Sequence, residues 1–532
     1  MVTTGVPSTG RDDGRHVERM ARAGGLSLAG AGVSAVTGVA LTALITNGFD
    51  QRTAGTIFAT TSLFLIATAV VQLGTDIGLV RWLPALIVRG QRDQLRPVVR
   101  VAVLPVMGAS VVTAVLGFVF ASQLADVVAP RADHDELVRQ IQVLSVFLPV
   151  SAVYNVLMAG TRGLRTMVPT VATEAFGRSI VQLVAVGAVQ LLGLGAVAVV
   201  VAWSLPYALT LAVVVVWFAA LMRGRTAATT DPSGAAPSSE DADLTGGSTV
   251  RGSAAAFWRY TAPRAIGTAS QVALKRADIV LVAALRSPKE AALYAAATRF
   301  VVLGQLGVQA LQQALSPQLS ALFAQDDHLS AREVYRATTA WAMLLAWPTY
   351  IACAVMAPDL LRVFGDGYDE VAPVVVLLSL AMLAATASGA VDTVLLMSGH
   401  SWLSLGNNLS ALVLNLVLNV VLIPEYGALG AGIAWTVSIL LRNLLPLVQI
   451  AWMYKISPFG RETVLVAVAS VVTIGVVPAV LRLLPVPTPW IWVALGVGGV
   501  VYLAVVWRLR DELQLRVFRQ VVRRPRRGAR KA

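Results

Sequence analysis

Charge is scarce in this chain of 532 residues: Asp, Glu, Lys and Arg make up 13%, about half the share usual in soluble domains. The single cysteine, Cys353, lies in an apolar run, which excludes a disulfide framework and a thiolate metal cluster. The four histidines, His16, His134, His328 and His400, lack the His-Glu-x-x-His spacing of a zinc protease. None of the four lysines (Lys275, Lys289, Lys455, Lys531) follows a glycine, so a Gly-Lys-Ser/Thr phosphate loop is missing. No segment alternates with a period of two, which argues against a membrane barrel. No metal or cofactor is expected.

Hydrophobic residues fill 56% of the chain, and the mean hydropathy is +0.72. Runs of about 20 apolar residues, enough to cross a bilayer, recur from end to end. The sequence therefore reads as an all-α integral membrane protein with about fourteen transmembrane helices, at 25–46, 54–79, 101–121, 138–160, 170–192, 195–221, 265–285, 291–316, 337–357, 371–396, 404–423, 427–453, 463–484 and 489–507. The first run is long enough to span rather than to be a cleaved signal. Of the 42 Lys and Arg residues, 30 fall in segments on one side of this arrangement and seven on the other. The positive-inside rule then puts both termini in the cytoplasm.

The stretch Arg223 to Gly252 is rich in Ser, Gly, Thr, Pro and Asp and reads as a disordered linker. It divides the chain into a cytoplasmic tail (1–24), an N-terminal six-helix bundle (25–222), the linker (223–253), a C-terminal six-helix bundle (254–455), two additional helices (456–507) and a basic tail (508–532). The tail RVFRQVVRRPRRGARKA suits anionic lipid headgroups; it lacks the interleaved aromatics of a nucleic-acid site.

The halves repeat. An offset of 237 pairs Thr61 with Thr298, Thr68 with Gln305, Gln72 with Gln309 and Thr75 with Gln312. These positions share one helix face, so the helices at 54–79 and 291–316 carry polar stripes at matching depth. Two stripes in register suggest a shared water-filled space, although polar residues also join neighbouring helices. The Leu-Gly-Ala at 194–196 recurs at 429–431. Equivalent points are six helices apart, which relates the halves by a pseudo-two-fold along the membrane normal. In LNLVLNVVLIPEYGALGAGIAW, Pro424 and Gly427 are expected to end one helix and reverse the chain. Gly430, Ala431 and Gly432 permit close packing, and Asn415 and Asn419 share a face suited to joining helices.

That stretch, together with ADIVLVAALRSPKEAALYAAATRF and AGTIFATTSLFLIATAVVQLGTDIGLVRWLP, resembles the multidrug/oligosaccharidyl-lipid/polysaccharide flippase superfamily, in its polysaccharide branch. The likeness covers about residues 25–507. It implies two six-helix bundles around a V-shaped cavity, alternating access, and a cavity lined by the first, second, seventh and eighth helices. It further implies a cargo of oligosaccharide on undecaprenyl diphosphate, moved from inner to outer leaflet of a bacterial cytoplasmic membrane for surface polysaccharide biosynthesis. Polymerase and glycosyltransferase machinery would be its neighbours. A flippase for peptidoglycan lipid II and an ion-coupled multidrug exporter are the alternatives. Lys275-Arg276 just before Asp278 departs from the family's usual seventh helix.

Five cations fall well inside spans, with Arg139 and Arg482 at outer helix ends counted with the outer loops: Arg178, Lys275, Arg276, Arg299 and Arg442. Each costs about 2.5–3.5 kcal/mol at a helix centre facing lipid, so they must face water, a partner or cargo. Glu174 with Arg178, and Lys275 with Asp278, have the spacing of same-face ion pairs. Arg276 and Arg299 have no local carboxylate, and a diphosphate offers guanidinium groups bidentate partners. The expected cargo-binding set is Arg276, Arg299, Lys275, Arg178, Gln305, Gln309, Thr68 and Gln72. Asp278, Asp392 and Glu174 are the candidates for ion coupling. Arg442 is read as reaching the interface, and Asp76 as an interfacial helix-end charge. An enzyme is not expected: the largest outer connection, SQLADVVAPRADHDELVRQ, is short, and its Asp133, Asp135 and Glu136 read as a solvated loop.

Overall fold

Inside hydrocarbon every backbone N–H and C=O must be satisfied within its own segment. The computed structural model meets that demand with helices, and no strand occurs among the residues it describes, 30, 32–164, 166–227 and 250–513. The expectations for the N-terminal tail, most of the linker and most of the basic tail lie outside those residues. Ten of the described helices are long and apolar enough to cross a membrane.

The first half runs α1 (Gly32–Gly48), α2 (Gln51–Val71), α3 (Thr75–Val88), α4 (Leu95–Val119), α5 (Ala121–Val128), α6 (His134–Gly163), a π-helical stretch (Val171–Arg178) that continues into α7 (Ser179–Leu191), and α8 (Ala196–Ala227). The second half comprises α9 (Val250–Leu285), α10 (Pro288–Ala297), α11 (Arg299–Ala324), α12 (His328–Val355), α13 (Ala372–Ala387), α14 (Val391–Met397) and α15 (Ser401–Tyr454). Then follow α16 (Arg461–Ser470), a π-helical turn (Val471–Val476), α17 (Val477–Leu483) and α18 (Thr488–Arg508).

Helix boundaries differ from expectation at several joints: the helix expected over 291–316 is interrupted at Thr298 and that over 371–396 at Ser388–Ala390, where Gly389 has φ 72°. The helix expected over 54–79 is broken, because Leu73 and Gly74 both adopt left-handed φ (52° and 71°) and α3 starts anew at Thr75. Gly74 is required there for space as well as for φ: a Cβ would lie 2.8 Å from the Ala265 nitrogen and 2.9 Å from the Thr261 carbonyl oxygen of α9. Pro424 does not end its helix. The helical path of α15 passes through it and breaks at Gly427 (φ 56°, ψ −130°). Glu290 takes the space where a Cβ of Gly427 would sit and accepts the Ala428 N–H at 2.7 Å.

A continuous apolar core joins the halves, from Ile57, Phe58 and Leu79 to Ile279, Ala291 and Phe364. Helix α2 packs along both α9 and α10. At the expected outer end Gly55 lies against the Pro288 carbonyl, where a Cβ would be 1.7 Å from the oxygen. Asn47 donates to the Val363 carbonyl and Gln51 to that of Asp366, both at 2.9 Å, and Arg131 donates to the Arg286 carbonyl. At the other end Trp82 of α3 meets Phe257 of α9 edge-on at 5.8 Å. The Tyr260 ring there contacts both Arg81 (4.8 Å) and Arg264 (3.7 Å). The final helices lean on α12, with Tyr502 bonded to the Leu344 carbonyl at 2.8 Å and Trp341 to that of Leu513 at 2.9 Å.

Candidate functional site

Helix α9 is the least apolar long helix in the chain, and its polar residues are ordered. Arg264, Thr268, Gln271 and Lys275 recur at intervals of 4, 3 and 4, on one face. Arg264, Gln271 and Lys275 are exposed and Thr268 is half-buried, whereas Leu274, Asp278 and Val282 are buried. A lipid-facing stripe of this kind is too costly to be tolerated. Arg276 is half-buried beside the stripe.

Helix α11 begins at Arg299, whose Nε is buried and unpartnered. Arg276 and Arg299 lie near enough to repel each other, and Lys275 feels both Arg276 and Arg442. No carboxylate acts on Arg276 or Arg299 among the described residues. Gln309 is exposed, and Gln305 is half-buried with only the Met382 sulfur near its amide, at 3.9 Å. The structure thus brings Lys275, Arg276 and Arg299 into one positive field at the middle of the second half.

The first half contributes Arg178 from the π-helical stretch. The widened turn lets the Ser179 hydroxyl reach the Glu174 carbonyl five residues back, at 3.0 Å, and such turns are frequent at functional sites. Arg178 is held by Gln182 Oε1 at 3.1 Å, by Glu174 at 4.0 Å and by the face of Tyr207 at 5.1 Å. Gln182 is itself fixed to the Trp203 carbonyl at 2.7 Å. Tyr207 sits among Phe64, Tyr154 and Trp203 and also acts electrostatically on Arg276. Gln182 and Tyr207 carry no sequence signal, because an isolated Gln or Tyr in an apolar helix looks like packing.

Asp278 does not pair with Lys275. The spacing is right, but Lys275 is exposed whereas Asp278 is 2% exposed and is taken up by partners on other helices. Its oxygens accept from the Tyr294 hydroxyl at 2.9 Å and the Asn419 amide at 2.8 Å. Asn415, completely buried, keeps both amide atoms without partners, and Asn419 Oδ1 is unpartnered too. Three helices, α9, α10 and α15, therefore meet at a buried carboxylate ringed by amide groups. Asn415 and Asn419 do face a neighbouring helix.

Other expected residues lie apart. Thr68 is 3% exposed and shares a 3.1 Å hydrogen bond with Ser151 of α6, and Thr75 is fully buried. The α2 stripe joins helices rather than lining a water-filled space at those positions; Gln72 is half-buried near the α2–α3 break. Asp392 accepts from Ser404 and feels Arg442, apart from Asp278. Asp76 lies in the first turn of α3, a favourable place for a negative charge. Two apolar grooves, of about 620 and 640 Å³, lie between α12, α13, α15 and α17 and between α17 and α18. Neither includes an expected site residue.

Comparison with known proteins adds to this geometry. The arrangement is similar to a solved lipid II flippase, MurJ, in its inward closed conformation, with a TM-score of 0.65 over 90% of this chain and 98% of that one, at 11% identity. An inward-facing multidrug resistance MATE transporter gives a TM-score of 0.60 over 79% and 94%, at 13% identity. The chain shares the fold of these transporters. Residues 250–373 of the chain match the family model described as "Polysaccharide biosynthesis protein". They contain the α9 stripe, Asp278 and Arg299. A curated relative, the probable low-salt glycan biosynthesis flippase Agl15 of Haloferax volcanii, is 22% identical over 169 residues. That match spans about a third of each protein, 32% of this chain and 36% of the relative. These superfamily neighbours are transporters and flippases rather than enzymes.

Proposed function

We propose that this protein is a flippase that carries an undecaprenyl-diphosphate-linked oligosaccharide from the inner to the outer leaflet of a bacterial cytoplasmic membrane by alternating access, with both termini cytoplasmic. The observation that carries the reading is the polar stripe Arg264–Thr268–Gln271–Lys275, ending beside Arg276 and Arg299, two cations without a carboxylate. A diphosphate neutralises such a pair with charge-assisted, bidentate hydrogen bonds. Arg178, already steadied by Glu174, Gln182 and Tyr207, is the contribution of the first half. Gln305 and Gln309 offer donors and acceptors to sugar hydroxyls. A multidrug exporter of organic cations would need carboxylates on the exposed faces, whereas Asp278 is buried and bonded.

Coupling is assigned to Asp278. One carboxylate, with the amide oxygens of Asn415 and Asn419 beside it, suits a small hard cation or a proton. Neutralising the carboxylate would weaken the bonds that tie α9 to α10 and α15. Glycosyltransferase and polymerase machinery would supply and consume the cargo.

The test is transbilayer movement of an undecaprenyl-diphosphate glycan in proteoliposomes. Arg276→Ala and Arg299→Ala are each expected to slow movement about 10- to 100-fold, the worth of one charge-assisted contact, at unchanged protein abundance. Full transport by both variants would remove the diphosphate clamp.

A further inference from the structure

The first two turns of α4 carry a second ordered set of cations. Arg96 and Arg100 are exposed and lie one turn apart, and Arg92 precedes them in the 3-10 turn Arg92–Gln94 with a buried, unpartnered Nη1. The same face continues with Leu104, Met107, Val111 and Val115, all exposed. The opposite face, Leu95, Val98, Ala102, Val106, Ser110 and Ala114, is buried in the protein. One exposed face is thus cationic at its start and apolar thereafter.

The dimensions match one molecule of a bilayer leaflet. From Arg100 to Val111 the helix rises about 16 Å at 1.5 Å per residue, about half of a 30 Å hydrocarbon core. Arg96 and Arg100 stand about 6 Å apart along the axis, suited to the oxygens of a phosphodiester headgroup. Asp93, exposed on the preceding turn, is the acidic residue of this segment; Arg89, Arg92, Arg96 and Arg100 outnumber it. Neither Arg96 nor Arg100 has an ion pair or hydrogen bond among the described residues.

We propose that this face is a binding site for an anionic phospholipid of the inner leaflet, with the phosphate on Arg96 and Arg100 and the acyl chains along Leu104, Met107 and Val111. The site is independent of the cargo path. It differs from the diffuse excess of positive charge on that side, because its cations are in register with the apolar stripe above them. Basic clusters at this depth attract anionic lipid by about one tenfold step or less per residue.

Native mass spectrometry of the purified full chain, titrated separately with phosphatidylglycerol and phosphatidylcholine, tests the proposal. One phosphatidylglycerol is expected to bind well ahead of phosphatidylcholine. The double variant R96Q/R100Q should weaken it about 30-fold, R96K/R100K should restore it to within a few-fold, and R259Q, which removes another exposed arginine from the same side, should leave it unchanged. The proposal is overturned if R259Q weakens binding as much as R96Q, or if phosphatidylcholine binds equally. It is also overturned if undecaprenyl diphosphate displaces phosphatidylglycerol at equal concentration, which would make the face a landing point for cargo. Should R96Q/R100Q fail to fold, equal phosphatidylglycerol affinity in R259Q and the parent, with loss in R96Q alone, supports it.

Discussion

Asp278 shows how one side chain can hold several helices. Its carboxylate accepts from α10 and α15 while belonging to α9, so removing a donor leaves a buried acceptor short. Asn419→Ala is expected to lower stability by about 1–3 kcal/mol, read as a fall in melting temperature in detergent. Asp278→Asn keeps the shape and should leave abundance near normal while transport loses its dependence on the ion gradient. A smaller effect is expected at Asp50, which caps α2 outside the membrane. Burial opposes its ionisation, but hydrogen bonds from Thr53 and Arg52 outweigh that and hold its carboxyl below the ordinary value. Its stabilisation is therefore present above the unfolded carboxylate pKa and lost as pH falls through the lower folded value. Asp50→Ala should cost about 1 kcal/mol at neutral pH, and a pH series of thermal melts should show the gap closing below about pH 4.

The helices were largely legible as apolar runs; their joints were not. Gln72 and Gly74 interrupt the apolar run only singly, which helices tolerate, so the pattern alone does not mark the left-handed pair that separates α2 from α3. The break is imposed by the approach of Thr261 and Ala265, nearly 190 residues away in the chain. Gly74→Ala would bring a Cβ against backbone atoms at a φ that disfavours it. It is expected to cost about 1–3 kcal/mol and to show as a lower melting temperature with the α3–α9 contact loosened in hydrogen exchange. The site was legible in the same partial way. Spacing points to Arg276, Arg299 and Asp278 as unusual, yet cannot say that Lys275 is exposed while Asp278 is buried among Tyr294 and Asn419. Thr68 was misread because a helix face carrying polar groups looks the same whether it meets water or, as here, Ser151. Thr268 and Gln271 do carry a sequence signal, the i, i+4, i+7 polar spacing that they share with Arg264.

Across the molecule, the two halves are fastened at the end expected to face outward. Asn47 and Gln51 reach backbone carbonyls of the second half, Arg131 does likewise, and Gly55 beds against Pro288. Each hydrogen bond is worth about 0.5–1.5 kcal/mol, so Asn47→Ala with Gln51→Ala should move the balance between closed and open outer ends by about 10-fold. Spin-label distance distributions across that end are expected to broaden toward longer separations; an unchanged distribution would show that these contacts do not set the conformation. The Leu73–Gly74 break has a bearing on this motion. Helix α2 is seated against α9 and α10, and α3 against α6 and α9, so the break divides one apolar run into two separately packed segments. Under the proposed alternating access, a joint at this level would let one mouth seal before the opposite one unseals, leaving ions no through-route.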